Sequence, residues 1–114
     1  MIIATVRMST CGEKRLELVQ TLLAWVKVVR SQEGCIAHRL CQDLEDDAVL
    51  WLVGEWETQA DLDSYLRSES YAVLQGTRSL LLHPYEIRLH AVSFTAGKEA
   101  VSAARHPAKL SPRR

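Results

Sequence analysis

Two side chains in otherwise apolar surroundings could take part in acid–base chemistry or ligand binding. His38 falls in a predicted strand, where a neutral imidazole can accept a proton as a general base. Trp56 ends an apolar run and offers a large flat ring with one N–H donor. The alternative interpretations are a histidine that is hydrogen-bonded at the edge of an interface and a tryptophan that is packed in the core.

Two further pairs of side chains could contact a ligand. Tyr65 and Tyr71 lie beside a break in a helical pattern, where the mouth of a pocket would open, although amphipathic packing also explains them. Arg88 and His90 share one face of the last predicted strand and would suit an anionic ligand. A salt bridge with a nearby glutamate at the rim of the sheet is the alternative for this second pair.

The elements that must position these residues follow the order strand, helix, strand, strand, helix, strand. They are predicted at 1–8, 13–31, 35–43, 48–57, 58–82 with an interruption at 68–70, and 85–94. Gly34 is expected to end the first helix in a left-handed conformation. This order predicts an α+β, ferredoxin-like βαββαβ fold, with a four-stranded antiparallel sheet and both helices on one face.

The strand at 48–57 is apolar on both of its alternating faces. Leu50, Leu52 and Trp56 form one row, and Val49, Trp51 and Val53 form the other. Exposing either row to water would cost roughly 1.5–3 kcal/mol for each large side chain. Because the helices cover only one face, we expect the row of Val49, Trp51 and Val53 to pack against a second copy in a homodimer.

Composition and charge limit the class of protein. The 114 residues suffice for one domain at 1–94, followed by a basic tail at 95–114. That tail holds five basic residues and one acidic residue, so the body before it is acidic, which argues against a nucleic-acid-binding module. No apolar run approaches the ~20 residues of a membrane span.

The cysteine residues suggest a reducing compartment. Cys11, Cys35 and Cys41 are odd in number, and no group of His, Cys or carboxylate residues has the spacing of a metal site. Cys35 and Cys41 are expected on one face of the second strand, too far apart for a disulfide. We therefore expect free thiols in a cytoplasmic protein.

Two segments carry a resemblance to a known family. They read G-C-I-A-H-R-L at 34–40 and G-E-W-E-T-Q-A-D-L-D-S-Y-L-R-S at 54–68, with an acidic turn between them. They resemble the antibiotic biosynthesis monooxygenase (ABM) domain family, whose members have a G-x-x-x-[YHF]-x-L strand, an E-x-W-x-[ST]-x-x-[AD]-[LF] junction and a following L-x-S. The resemblance covers about residues 1–94.

The resemblance implies a dimeric α/β barrel whose catalytic members oxidise quinols or polycyclic phenols with molecular oxygen, without metal or flavin. It implies that Trp56 lines the pocket. It also places Leu52, Leu62 and Gln75 at pocket positions where the monooxygenases have an asparagine, an aromatic hydroxyl and an arginine. Ser70 stands where many quinol-oxidising relatives have a histidine.

The leading hypothesis is a cofactor-independent monooxygenase in which His38 and Trp56 are catalytic. The expected substrate contacts are Leu52, Tyr65, Tyr71, Gln75, Arg88 and His90. A dimeric small-molecule-binding protein without activity is the main alternative, because leucines replace polar pocket residues. An isomerase or lyase that uses a histidine without oxygen is a third possibility.

Overall fold

The computed structural model describes residues 1–107. Four strands form one sheet, β1 (Ile2–Ser9), β2 (Cys35–Gln42), β3 (Val49–Trp56) and β4 (Glu86–Ala91). The helices are α1 (Gly12–Arg30), α2 (Gln59–Leu66), α3 (Glu69–Gly76) and α4 (Lys98–Arg105), and a 3₁₀ turn (Thr77–Leu80) follows α3. The order of elements predicted from the sequence is therefore confirmed.

The sheet is antiparallel, with the strand order β2-β3-β1-β4. β1 and β3 occupy the centre, and α1 and the α2–α3 pair connect strands that are not neighbours. This is the ferredoxin-like α+β fold that the sequence predicts. Its main core lies between the sheet and the helices, where β1 and β3 contribute alternate residues such as Val6, Met8, Leu50 and Leu52.

Gly34 has the predicted left-handed conformation, with a φ of +83°, but it does not cap α1. The helix ends at Arg30 with Ser31 as its C-cap. Gly34 lies in the turn before β2, where Cys35 N donates to Gln32 O at 3.2 Å.

Local signals in the sequence explain where α2 and α3 begin. The Thr58 hydroxyl accepts a hydrogen bond from Asp61 N at 3.1 Å and caps α2. The Ser68 hydroxyl accepts one from Tyr71 N at 3.3 Å and starts α3, which confirms the predicted interruption of the helix.

The structure differs from the sequence prediction in its last third. The α-helical pattern was expected to continue to residue 82, but α3 ends at Gly76 and a 3₁₀ turn follows. Thr77 is the C-cap of α3, and both its backbone N–H and its Oγ1, at 2.7 Å, donate to Leu74 O. The last strand is shorter than the expected 85–94, and α4 was not predicted. The remainder of the basic tail, at 108–114, lies outside the described residues.

A β-bulge changes the faces of β2. The register against β3 shifts between Cys35 and Ala37, so that Cys35 pairs with Trp56 whereas Cys41 pairs with Trp51. An extra residue in a strand reverses the alternation of side chains beyond it. The expectation that Cys35 and Cys41 share one face is therefore wrong, although the described cysteines are free thiols.

Neither a membrane-spanning helix nor a metal-ligating cluster occurs in the part of the chain that the structure describes. No helix there is both long and apolar enough to cross a bilayer. No group of three or more His, Cys, Asp or Glu residues among residues 1–107 is placed to hold a metal ion.

Candidate functional site

The centre of the helix-facing side of the sheet has small residues on its two middle strands. One row across the four strands consists of His38, Gly54, Ala4 and Leu89. A Cβ atom on Gly54 would lie 2.8 Å from His38 Cδ2 and 3.2 Å from Trp56 Nε1. The lack of a side chain at Gly54 therefore leaves room for the imidazole of His38 and for the indole N–H of Trp56.

Aromatic rings from four elements surround this row. Trp56 of β3 stacks on Tyr65 of α2, with ring centroids 4.7 Å apart and an interplanar angle of 22°. Trp25 of α1 meets His38 edge-on at 5.3 Å, and Tyr71 of α3 meets Tyr65 edge-on at 5.6 Å. These geometries are the ones that aromatic pairs prefer, so the rings form an ordered wall.

These rings and the sheet enclose a small cavity. The cavity has a volume of about 10 Å³, which is room for about one water molecule. Its lining comprises Ala4, Val6, Trp25, His38, Leu52, Trp56, Leu62, Tyr65, Leu66, Tyr71, Leu74 and Ile87. The structure thus brings together five residues predicted to be functional: His38, Trp56, Leu52, Tyr65 and Tyr71.

Two buried polar atoms at this cavity have no hydrogen-bond partner among the described residues. They are Nδ1 of His38 and Nε1 of Trp56. His38 is 5% exposed and Trp56 is 0% exposed, so water outside the protein does not solvate them. More than 90% of buried polar groups in folded proteins are paired, because an unpaired one costs about 1–3 kcal/mol. These two atoms therefore mark a place where a bound molecule would complete the hydrogen bonding.

Burial also sets the protonation of this site. Desolvation, assisted by the positive charge of Arg30, lowers the pKa of His38 from 6.5 to about 4. Desolvation likewise raises the pKa of Tyr65 well above its usual value of 10. At neutral pH the site therefore holds a neutral imidazole, an indole N–H donor and a protonated phenol. Such a set can bind a hydroxyl group or a developing oxyanion.

Helix α1 holds His38 and the start of α3 in place through hydrogen bonds. Arg30 Nε donates to His38 O at 2.9 Å, which ties the end of α1 to β2. Trp25 Nε1 donates to Ser70 O at 2.6 Å, and Gln32 Nε2 donates to Ser70 Oγ at 3.1 Å. Ser70, which stands at a histidine position of some relatives, is thus held by α1 and by the turn after it, and it is absent from the lining of the cavity. Sequence reasoning missed Arg30 and Trp25 as site residues, although the apolar stripe of α1 that contains Trp25 was a usable signal.

Tyr71, which lines one side of the cavity, is paired with a second tyrosine outside it. The hydroxyl oxygens of Tyr71 and Tyr85 lie 2.6 Å apart and share a hydrogen bond. Burial and this bond raise the pKa of Tyr71 far above 10, so its hydroxyl stays protonated. Tyr85 follows Pro84 in the irregular segment before β4, and the sequence alone gave no signal for its pairing with Tyr71.

Three residues that were predicted to bind the substrate lie outside the cavity. The register pairs Arg88 with Thr5 and His90 with Ile3, on the face of the sheet turned away from the helices. Arg88 and His90 therefore cannot contact a molecule beside Trp56. Gln75 is exposed and lines a separate pocket with Arg78, Pro84 and Tyr85.

The face of the sheet that bears no helix is mixed rather than apolar, and we call it the open face. A depression of about 400 Å³ on it is lined by Thr5, Arg7, Trp51, Glu86, Arg88 and His90. Trp51 and Val53 are half-buried there, as a surface awaiting a partner would be. Val49 was expected to face the partner but is already buried within the single chain, with 1% exposure.

Comparison with known structures shows the same fold in several bacterial proteins. A Deinococcus radiodurans protein proposed to be an antibiotic biosynthesis monooxygenase matches with a TM-score of 0.79 and 16% identity, over 85% of this chain and 97% of that one. A Mycobacterium tuberculosis protein matches at 0.77 and 21%, over 84% and 98%. A variant of SnoaB, a cofactor-independent oxygenase from Streptomyces nogalater, matches at 0.71 and 16%, over 82% and 94%.

At these identities the structural matches show the fold alone. No curated protein matches the sequence. The family model for antibiotic biosynthesis monooxygenase matches residues 1–76 of the 114, a range that includes His38, Trp56, Tyr65 and Tyr71. The resemblance seen in the sequence is thereby confirmed, and the chain belongs to the antibiotic biosynthesis monooxygenase family.

Proposed function

We propose that this protein is a cofactor-independent monooxygenase that oxidises a quinol or polycyclic phenol with molecular oxygen. Two buried polar atoms carry the proposal, because His38 Nδ1 and Trp56 Nε1 have no hydrogen-bond partner within residues 1–107. They lie at a cavity otherwise lined by apolar and aromatic groups. A phenolic hydroxyl can donate to an imidazole nitrogen and accept from an indole N–H. An electron-rich aromatic ring suits the surrounding wall of rings.

The chemistry requires a protein that stabilises the substrate's anion. In a quinol, one oxygen atom of O₂ enters the ring to give a hydroxyquinone and the other leaves as water, so the substrate supplies every electron. His38, neutral at pH 7, accepts the hydrogen bond of the reacting hydroxyl. Trp56 Nε1 donates to the oxygen on which negative charge develops. The apolar wall excludes water from the reactive anion.

Oxygen uptake with a panel of quinols and anthrones tests the proposal. His38→Ala should lower kcat by about 10²-fold. Trp56→Phe, which keeps a six-membered aromatic ring but removes the five-membered ring with its N–H donor, should lower kcat by about tenfold. His106→Ala, which changes an exposed histidine at the end of α4, is the matched control and should retain wild-type kcat. Uptake no faster than autoxidation across the whole panel would contradict the proposal.

A binding protein without activity is the second candidate. Leu52 and Leu62, at positions where catalytic relatives have polar groups, are fully buried in the cavity lining and offer no hydrogen bond. Tight binding of an aromatic ligand that is never turned over in air would favour this candidate.

The functional unit in either case is a homodimer formed through the open face, with Trp51 and Val53 at its centre. Half-buried apolar side chains in the middle of a sheet face support this arrangement. Charged neighbours such as Arg7, Glu86 and Arg88 would pair across the two-fold axis. Mass measurement in solution at micromolar concentration should give twice the mass of the chain.

A further inference from the structure

A second pocket lies directly outside the cavity. It has a volume of about 210 Å³ and is lined by Gln75, Arg78, Pro84 and Tyr85. The inner cavity, at about 10 Å³, admits no aromatic ring in the observed conformation. Any aromatic substrate must therefore enter through a part of the cavity lining that moves, and the outer pocket is a larger space beside one part of that lining.

The wall between the two spaces is the hydrogen-bonded pair of Tyr71 and Tyr85. Tyr71 lines the inner cavity, Tyr85 lines the outer pocket, and their hydroxyl oxygens are 2.6 Å apart. The neighbouring residues Leu74 and Gln75 repeat this division, because Leu74 faces inward and Gln75 faces outward. Separating the two hydroxyls would join the spaces into one elongated site.

The tyrosine hydroxyls can exchange partners with a ligand. Each hydroxyl has one donor and two acceptor lone pairs, so the pair retains one unused donor and several lone pairs. A quinol oxygen that enters between them can replace their mutual hydrogen bond. The wall can therefore open without leaving Tyr71 or Tyr85 unpaired.

The outer pocket carries positive charge. Arg78 contributes a guanidinium to its lining. Lys14 of α1 donates from Nζ to the carbonyl of Ser79, the next residue of the 3₁₀ turn, at 3.0 Å. Glu86 follows Tyr85 in the sequence but lies on the open face, opposite Arg7. A carboxylate on the ligand can form a paired hydrogen bond with a guanidinium.

We propose that the outer pocket is the entry subsite for the substrate and binds a carboxylate on a flat aromatic quinol, while the ring passes between Tyr71 and Tyr85 toward His38 and Trp56. This inference rests on the proposed function, since it assumes that an aromatic quinol is the ligand. To that function the inference adds a carboxylate on the substrate, Arg78 as the residue that selects the carboxylate, and a route of entry between Tyr71 and Tyr85.

Anaerobic binding of two matched probes tests the entry subsite. The probes are 1,4-dihydroxy-2-naphthoate and its neutral carboxamide, and quenching of tryptophan fluorescence reports their Kd. The wild-type protein should bind the carboxylate about tenfold more tightly than the amide. Arg78→Gln should abolish this preference, whereas Arg105→Gln, the same change on exposed helix α4, should retain it.

Stopped-flow association under nitrogen tests the tyrosine wall. Tyr85→Phe removes the shared hydrogen bond with little change in shape, so both probes should associate about three- to tenfold faster than with the wild-type protein. An unchanged association rate would overturn the wall, and equal affinity for the two probes, or a preference that survives Arg78→Gln, would overturn the subsite. Admitting air separates the two proposals, because failure of the proposed function leaves the binding preference intact but gives no oxygen uptake.

Discussion

Trp51 and Trp56 stand on the same strand in opposite environments. Trp56 faces the helices, has no exposed surface, and its indole N–H has no partner among the described residues. Trp51 faces the other way, is half-buried, and donates its N–H to Asp43 Oδ2 at 3.3 Å. The more accessible tryptophan is thus paired, and the fully buried one is not.

This difference separates the tasks of the two faces of the sheet. A buried donor without a partner is costly, so it persists where a ligand supplies the missing acceptor. A half-buried ring whose N–H is already paired, beside charged residues such as Arg7 and Arg88, is typical of a surface that packs against protein. This contrast supports our proposals that the helix-facing side binds the substrate and that the open face forms the dimer contact.

Truncation of Trp56 should have the largest effect on folding. Trp56→Ala removes a fully buried ring that stacks on Tyr65, so the free energy of unfolding should fall by about 3–5 kcal/mol in urea or guanidinium titrations. Trp56→Phe is the control: it keeps most of the buried ring area and deletes the unpaired N–H, so it should change stability by less than about 1.5 kcal/mol. Equal losses for the two variants would show that the buried area of the ring is not the main contribution of Trp56 to the free energy of unfolding.

The buried imidazole should make stability depend on acid. The unfolded chain binds a proton on His38 near pH 6.5, whereas the folded chain binds it only near pH 4. Lowering the pH through this window therefore favours the unfolded state, and about 3 kcal/mol should be lost between pH 6.5 and pH 4. His38→Gln should remove this component from unfolding curves measured across that range. Parallel curves for the variant and the wild type would contradict the burial of a neutral histidine.

A methyl group at Gly54 should damage the site more than the fold. Gly54→Ala forces the His38 ring or the Trp56 indole to move, since the added Cβ would lie 2.8 Å and 3.2 Å from them. The cost in unfolding free energy should be about 1–3 kcal/mol, with loss of ligand binding. Gly76→Ala is the matched control, because nothing lies within 4 Å of its Cβ, and it should stabilise the protein by up to about 1 kcal/mol. A neutral result at Gly54 would mean that the two rings yield without strain.

The helix-facing side of the sheet could be predicted from the sequence more fully than the open face. Alternation along β3 correctly divides Leu52 and Trp56 from Trp51, and the break at Ser68 correctly places Tyr65 and Tyr71 on separate helices around one cavity. These features follow from local rules, namely side-chain alternation and helix capping.

Features that depend on register or on distant contacts could not be predicted. The bulge at Ile36 decides which face Cys35 occupies, and the pairing of β4 with β1 turns Arg88 away from the cavity. The contact between Tyr71 and Tyr85 depends on how α3 and the segment before β4 fold together. Gly54 was a partial signal, since a glycine within an apolar strand indicates a close approach of other groups.

Truncation of Trp51 should have the smallest effect on the isolated chain and a clear effect on assembly. Trp51→Ala removes a half-buried ring, so at nanomolar concentration the free energy of unfolding should fall by only about 1 kcal/mol. If the wild type forms the proposed homodimer, its stability should rise with protein concentration, because only the folded state associates. Trp51→Ala should lose most of this dependence. Val28→Ala, which changes an exposed apolar residue on α1 instead of the open face, should keep it. The same concentration dependence in Trp51→Ala and in the wild type would show that the dimer contact lies elsewhere, and would contradict the proposal that the open face forms it.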